Sequence, residues 1–441
     1  VLAPRLHVSA FSYIEVANPA GYVPGVSRDD PHVTWYFGSI SLDHGHYAKR
    51  DQDRSRPVVM PGKLVAAEFD LISAYTDPVH METYARYLWM MGGQPRPFLP
   101  TWWAAGKGGG WAEGFWTGYS DELAKRMCQV VGANRHLRAG SVADVVYISP
   151  SVSGMGAMAT WGPWSPQEWR TTHTDVVRHL QAVGANFDII SEDALTSAKL
   201  ARYRLMIVGS PALYPWVREA LRGATGHLLA LGWAGMVQTP DAHAATGSSS
   251  WYNTTASWWP TGGSVVKRPL HVRFGKDPLL GSLAGVERTS ERASQPVAYV
   301  RGLRGTVLGS DDEDQSVMAV GNFAPGRRCY HLGLPLMLRD AGQIISEPEF
   351  RGLLTNILRD AGCTAYGDLG PLRLYENTHW LLVENPNGTT GTVAKPAGDW
   401  SGELRVDLLK NRPSPSSLDS KGRLMLTIPA GASVVVPLRG R

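Results

Sequence analysis

The sequence has little cysteine, and its cysteines form no recognised motif. The three thiols, Cys128, Cys329 and Cys363, are odd in number and far apart in the chain. No Cys-x-x-Cys pair occurs, which excludes the common zinc and dithiol motifs and gives no support to a disulfide framework. Buried free thiols are therefore expected, with a single Cys329–Cys363 bridge as the alternative.

Long apolar runs and blocks of one charge are also absent. No stretch reaches the roughly 18 apolar residues of a membrane-spanning helix, so no membrane partner is predicted. The formal net charge is +4 over 441 residues, without a Lys/Arg block, and this argues against nucleic acid as a partner. No signal peptide is visible, and the chain opens at Val1 rather than Met. We expect a processed product or a fragment, with the compartment open between cytoplasmic and secreted.

Tryptophan, in contrast, is abundant. The chain has 16 Trp residues, and Trp102, Trp103, Trp111 and Trp116 fall within one Gly-rich stretch. Indole rings offer flat apolar faces with one polar N–H, which suit the faces of sugar rings. The alternative is that these rings fill a core.

The chain is long enough for two to four domains at roughly 100–200 residues each, and its patterning divides it into three. Residues 1–140 alternate strands and helices, as in the carboxyl-terminal part of a (β/α)8 barrel, where chemistry resides in the loops after the strands. Residues 141–365 read as a doubly wound α/β domain, with 246–264 as a long loop. Residues 366–441 contain short strands between turns, which predicts a small antiparallel β-sandwich.

This three-part order resembles the β-galactosidases of glycoside hydrolase family 42. The resemblance is carried by AAEFD around Glu68, the following PFLPTWW, the strand VADVVYIS and the final IPAGASVVVPL. It implies a catalytic barrel, an amidotransferase-like domain that mediates oligomerisation, and a carboxyl-terminal β-sandwich. It also implies a carbohydrate substrate and a homo-oligomer, either trimer or dimer. No cofactor is predicted.

Glu68 is the predicted nucleophile because it ends an apolar strand, where the resemblance puts the nucleophile of barrel strand seven. A retaining glycosidase needs one carboxylate to attack the anomeric carbon and a second carboxyl, roughly 5 Å away, to protonate the leaving oxygen. The alternative for Glu68 is a structural carboxylate at a strand end.

The second carboxyl is missing from the expected pattern. In the family that the chain resembles, the acid/base is a Glu in an Asn-Glu pair, and no such pair precedes Glu68. Glu15 is the only earlier strand-end carboxylate, but it follows Ile14 and lies too close in sequence to Glu68. We therefore expect the acid/base outside this chain, in an N-terminal half-barrel that is a separate polypeptide or has been removed or lost.

Other polar and aromatic residues follow the presumed barrel strands. Asp43, His44 and His46 come after the strand GSISLD and are predicted to bind sugar hydroxyls. The same residue types also occur in metal sites, but no fourth ligand is in view, so no metal is predicted. Trp102, Trp103, Trp111 and Trp116 are the predicted sugar platforms, and Asp70 and Glu113 are weaker candidates.

The second domain lacks the cysteine nucleophile of the amidotransferases that it resembles. Amidotransferases carry a cysteine nucleophile in a Gly-x-Cys-x-Gly turn, and the matching segment here, residues 231–235, reads LGWAG. No thiolate is available there, so the domain is predicted to be a scaffold. Two hypotheses remain: a glycosidase, or a non-catalytic carbohydrate-binding or assembly protein derived from one.

Overall fold

The structure is a computed structural model of the chain, and its described part excludes most of the first 128 residues and several later segments. The chain divides into two compact units, residues 1–142 with 369–441 and residues 143–368. The described residues are 67–69, 86, 89–90, 95–97, 129, 132–149, 176, 179–191, 195–209, 215–232, 261–266, 269–291, 295–300, 305–334, 344–370, 372–385, 390–396, 416–418, 420–421, 423–429 and 433–438.

Strands and helices are numbered along the chain within these ranges. The strands are β1 (Ala67–Phe69), β2 (Pro95–Pro97), β3 (Val145–Ser149), β4 (Phe187–Ser191), β5 (Leu205–Val208), β6 (His227–Leu231), β7 (Thr261–Val266), β8 (His271–Phe274), β9 (Glu287–Thr289), β10 (Gln295–Val300), β11 (Gly305–Ser310), β12 (Ser316–Ala324), β13 (Arg327–Leu332), β14 (Arg373–Glu376), β15 (Trp380–Glu384), β16 (Gly391–Pro396), β17 (Ser416–Leu418), β18 (Arg423–Ile428) and β19 (Ser433–Pro437). The α-helices are α1 (Ser197–Leu200), α2 (Pro215–Gly223) and α3 (Glu347–Asp360), and 3-10 helices span Arg135–Leu137 and Pro278–Leu283. No helix within the described ranges is both long and apolar enough to cross a membrane.

The second unit is built on a nine-stranded mixed sheet. Its order is β4-β3-β5-β6-β13-β12-β11-β8-β9. The first five strands are parallel and the other pairings are antiparallel. When only its five parallel strands are numbered in chain order, the parallel half runs 2-1-3-4-5, the order of flavodoxin-like sheets. The mixed α/β class predicted from the sequence is confirmed.

Both faces of the parallel half are covered, which explains why its strands are continuous apolar runs. The short sequence LMIV of β5 is fully buried. On one face, α1 and α2 contribute Leu200, Val217 and Leu221 to a single apolar cluster with alternate strand residues. On the other, α3 is tied to the sheet where the Tyr330 hydroxyl donates to Asp360.

The start of α3 shows sequence and structure in agreement at a helix end. The Ser346 hydroxyl and backbone N–H both bond to the Glu349 carboxylate, at 2.8 and 2.9 Å, so that Ser346 and Glu349 form a capping box. The sequence predicts a helix over residues 349–362, ended by Gly362, and α3 confirms this helix with its start two residues earlier.

One prediction in this unit is wrong at its end. Residues 246–264 were expected to be a loop, but residues 261–264 belong to strand β7 (Thr261–Val266), which pairs antiparallel with β10. Residues 246–260 lie outside the described residues. Thr-Gly-Gly-Ser carries no apolar alternation, so its sequence gives no strand signal. Its partner supplies the hydrogen bonds, and the buried Val297, Ala298 and Tyr299 of β10 anchor the pair.

The first unit contains two three-stranded antiparallel sheets near the carboxyl terminus, β14-β15-β19 and β16-β18-β17. Short apolar runs between turn signals predict strands at 379–386, 403–409, 423–430 and 433–438. The first and the last two correspond to β15, β18 and β19, and 403–409 lies outside the described residues. The first of these sheets packs its apolar side chains against segments from much earlier in the chain. The shared cluster consists of Trp89, Met90, Leu137, Tyr375, Leu382 and Val435.

Asn377 joins these distant segments through hydrogen bonds. This fully buried side chain donates to the carbonyl oxygens of Met90 and Leu137, at 3.4 and 2.9 Å. Its oxygen accepts from the backbone N–H groups of His379 and Trp380, at 3.1 and 2.9 Å. One amide side chain thereby pairs four backbone groups from three parts of the chain.

The substitution Asn377→Ala is expected to lower the free energy of unfolding by about 2–4 kcal/mol, because it leaves several buried backbone groups unpaired. Urea unfolding measures this. Asn322→Ala, which removes an exposed amide from β12, is the matched control and should change stability by less than about 0.5 kcal/mol. Equal losses in the two variants would contradict the role of Asn377.

His331 is the most unusual polar residue of the second unit's core. It is fully buried on β13, and neither ring nitrogen has a hydrogen-bond partner within the described part of the chain. Its neighbours in register on the adjacent strands are Ala230 and Ala319, whose small side chains leave room for the ring. Burial lowers the pKa of His331 from 6.5 to about 3.

Since the folded state holds His331 neutral while the unfolded chain protonates it near pH 6.5, stability is expected to fall as the pH drops below that value. The loss is about 1.4 kcal/mol per pH unit. The variant His331→Leu removes this proton linkage. The difference in unfolding free energy between variant and wild type should therefore shift by about 2 kcal/mol in favour of the variant from pH 7 to pH 5. A constant difference across this range would show that His331 has the same pKa in the folded and unfolded protein.

Candidate functional site

Glu68, the predicted nucleophile, is the central residue of β1. Strand β1 pairs in parallel with β2, and the register sets Glu68 opposite Arg96. Helical residues at 86 and 89–90 lie between the two strands in sequence. Strand, helix and parallel strand in succession form a βαβ unit, the repeating element of a barrel. Apolar runs in the sequence predict strands at 63–70 and 96–105, and these ranges contain β1 and overlap β2.

A buried arginine anchors the helix of this βαβ unit. The Arg86 guanidinium donates to both the carbonyl oxygen and the hydroxyl of Ser433, at 2.9 and 2.8 Å. Its Nε donates to the side-chain oxygen of Asn134, at 3.3 Å. The segment that connects the Glu68 strand to its neighbour is therefore fixed by residues at two other places in the first unit.

The remaining predicted site residues lie outside the described residues. These are Asp43, His44 and His46 of the proposed sugar-binding rim and the aromatic residues Trp102, Trp103, Trp111 and Trp116. Glu15, Asp70 and Glu113 lie outside as well. Among the residues that the structure does describe, no group of three or more His, Cys, Asp or Glu side chains is arranged to hold a metal ion.

The second unit contains the segment that was compared with amidotransferases. Leu231 ends β6, and Gly232 follows with a φ of 52°. The Gly232 N–H donates to the carbonyl of Leu332 at 2.7 Å. The chain therefore turns sharply at the carboxyl end of a parallel strand, the edge of an open α/β sheet where ligands commonly bind. The last three residues of the segment lie outside the described part.

Two of the three thiols are buried in the second unit and are poor nucleophiles there. Cys329 is fully buried within the apolar cluster of the sheet, and burial raises its pKa to about 12. The pKa of Cys363 is also raised to about 12, mainly by burial and to a smaller extent by the nearby Asp144 carboxylate. Thiolates, not thiols, attack electrophiles, so neither sulfur is suited to covalent catalysis at neutral pH. The buried-thiol prediction is confirmed for this pair: both are free cysteines.

Two tyrosine–carboxylate pairs fix acidic side chains in the second unit, one of them buried and the other partly exposed. Asp188 is fully buried, bonds to the Tyr203 hydroxyl at 2.7 Å and forms an ion pair with Arg202. Asp360 accepts from the Tyr330 hydroxyl and forms an ion pair with Arg328. Burial and the Asp360 carboxylate raise the pKa of Tyr330. No sequence motif identifies either pair, because each joins residues from two separate elements.

Comparisons with known proteins give a fold and no family assignment. No protein-family model matches the chain, and no curated protein matches it. Among solved structures, the β-galactosidase from Bacillus circulans sp. alkalophilus matches with a TM-score of 0.59 and 14% identity, over 89% of this chain and 58% of that one. The chain is similar in fold to β-galactosidases.

Other solved structures agree. Gan42B, a GH42 β-galactosidase from G. stearothermophilus, matches with a TM-score of 0.59 and 11% identity over 96% of this chain and 58% of its own. The β-galactosidase from Halorubrum lacusprofundi gives a TM-score of 0.60 and 11% identity, over 95% and 59%. The α-L-fucosidase isoenzyme 2 from Paenibacillus thiaminolyticus gives 0.52 and 13%, over 91% and 63%. This chain thus spans less than two thirds of the length of these glycosidases.

The buried thiols give a direct test of the second unit's core. Cys329 and Cys363 are expected to resist iodoacetamide at pH 8 in the native protein, because burial keeps both sulfurs protonated and shielded. In 6 M guanidinium both should alkylate within minutes, as an unfolded thiol does. Peptide mass spectrometry of the two labelled samples makes the comparison. Rapid native labelling of either residue would mean that its sulfur reaches solvent.

Proposed function

We propose that this chain is part of a retaining glycoside hydrolase that releases β-galactose or a similar pyranose from oligo- or polysaccharides, with Glu68 as the nucleophile. The carboxylate attacks the anomeric carbon while the leaving oxygen takes a proton from a second carboxyl group. Water then hydrolyses the glycosyl-enzyme ester, and the same second carboxyl acts as base.

The observation that supports the proposal is the position of Glu68 on β1 of a parallel βαβ unit, in a chain similar in fold to β-galactosidases. Barrel enzymes carry catalytic residues at strand ends, where the following loops close around the substrate. Glu68 lies one residue from the end of β1.

The acid/base is proposed to come from outside these 441 residues. No Asn-Glu pair precedes Glu68, and Glu15 does not fit the pattern. The solved β-galactosidases are also longer than the part that this chain matches. A separate polypeptide carrying the N-terminal half of a barrel would complete the site.

The sugar and the assembly are further parts of the proposal. The similar structures include β-galactosidases and an α-L-fucosidase, which favours a hexopyranoside substrate without selecting one sugar. We also propose that residues 1–140, 141–365 and 366–441 act as a barrel part, an oligomerisation domain and a β-sandwich. The protein would then form a homo-trimer or a homo-dimer.

One observation favours a second candidate function. A chain that carries one of the two required carboxyls cannot complete the double displacement alone. In isolation it would act as a non-catalytic carbohydrate-binding or assembly protein. The two functions are separated by whether Glu68 becomes covalently glycosylated.

The substitution Glu68→Gln is expected to abolish turnover of an aryl β-galactoside, a loss of at least about 10³-fold, because the amide cannot form the glycosyl ester. In the natively purified wild type, a 2-deoxy-2-fluoro-galactosyl inactivator should add one glycosyl mass to the peptide that contains Glu68. Intact and peptide mass spectrometry detect the adduct, and also any polypeptide that co-purifies.

The control is Glu219→Gln, which neutralises an exposed carboxylate on α2 and should leave turnover and labelling unchanged. Both variants should elute at the wild-type volume in gel filtration. Full activity in Glu68→Gln would overturn the nucleophile assignment. An unlabelled single species without turnover would support the non-catalytic alternative.

A further inference from the structure

The second unit contains an open groove of about 540 Å³ that no part of the proposed reaction uses. It lies where the open end of the β11–β12 hairpin, the 3-10 helix Pro278–Leu283 and the last turn of α3 come together. Its volume is within the usual range of small-molecule sites, which is about 300–1,000 Å³. All of its lining residues belong to the described part of the chain.

One wall of the groove is held in place by an ion pair. Arg328 on β13 bonds to the Asp360 carboxylate at the end of α3, and the Tyr330 hydroxyl donates to the same carboxylate. Because Asp360 has two partners, its position is set before any ligand arrives. Preorganised polar groups of this kind reduce the entropy that binding costs.

Three other side chains have unused hydrogen-bonding capacity. Asn356 donates its amide to the Leu279 carbonyl at 3.1 Å, and its oxygen has no partner within the described residues. Arg359 and Asn322 are exposed at the groove, and within the same part of the chain neither side chain has a hydrogen bond or an ion pair. Together they present amide and guanidinium donors and amide acceptors from two different elements.

The groove is also balanced in charge. Its charged lining residues are Arg328, Arg359, Asp277 and Asp360, two of each sign. An anion would meet the two carboxylates and a cation the two guanidinium groups, so neither is favoured. Pro278, Leu279 and Val320 add apolar surface beside these polar groups. A neutral polyhydroxylated molecule matches this mixture, since sugar rings carry hydroxyls at their edges and C–H groups on their faces.

We propose that this groove is a second binding site for a neutral oligosaccharide, contacted by Asn322, Asn356 and Arg359. The polyol chemistry follows from the lining, whereas the choice of a carbohydrate rests on the proposed function. Such a site would hold the protein on an oligo- or polysaccharide independently of hydrolysis.

The test is hydrogen exchange on the full chain as purified, read by mass spectrometry. The probes are β-1,4-galactotetraose, cellotetraose and maltotetraose, each titrated against the Glu68→Gln protein so that no probe is consumed. At least one sugar should slow exchange in the peptides that contain Asn322 and Arg359. In the double variant N322A/R359A, made in the same protein, the sugar concentration that gives half-maximal protection should rise about tenfold or more, since two hydrogen bonds are lost.

The matched control is Arg218→Ala, which removes one arginine from α2 on the opposite face of the sheet and should leave the protection unchanged. Inorganic phosphate serves as a charged probe. Absence of protection by all three sugars would overturn the inference, as would protection that survives in N322A/R359A. Protection by phosphate equal to that by sugar would replace it with an anion site.

The proposed function is measured separately, as turnover and labelling of the wild type. Groove protection without turnover would remove the catalytic proposal and leave the binding site standing. Turnover without groove protection would remove only the binding site. N322A/R359A should retain wild-type turnover of a small aryl galactoside, because neither residue belongs to the catalytic proposal.

Discussion

The pairing of buried polar groups is the constraint on which both units depend. In the first unit, Asn377 and Arg86 are almost completely enclosed, and each bonds to segments far away in sequence. In the second, the fully buried Asp188 is held by a tyrosine hydroxyl and an arginine. Leaving a buried polar group without a hydrogen bond destabilises the fold by more than the bond itself stabilises it. These hydrogen bonds therefore favour one arrangement of the elements over other arrangements that bury a similar apolar area.

Burial also holds three ionisable groups of the second unit in their neutral forms. The pKa values of Cys329 and Cys363 are raised and that of His331 is lowered. Burial dominates each of these shifts. A general base or nucleophile needs a pKa near the working pH, and none of these three groups has one.

The candidate catalytic residue depends on a different arrangement. Glu68 owes its position to the parallel pairing of β1 with β2, and the connecting helix is fixed through Arg86 to a strand residue more than 300 positions later. Contacts of this kind connect a carboxyl-terminal strand to the segment that follows Glu68 in the chain. They also explain why the first unit unites the two ends of the chain.

The sequence by itself determined the mixed α/β class, most of the strands of the parallel half and the terminal helix. Strands that are buried on both faces appear as continuous apolar runs, and the capping box that starts the helix involves only residues close together in sequence. It also identified Glu68 as a strand residue. Only the tertiary structure decided that Thr261–Val266 is a strand, since its stability comes from β10 and not from its own residues. Folding also brings together the elements that form the surroundings of His331, the hydrogen bonds of Asn377 and the groove around Arg359. The spacing of residues along the chain does not predict such contacts between distant elements.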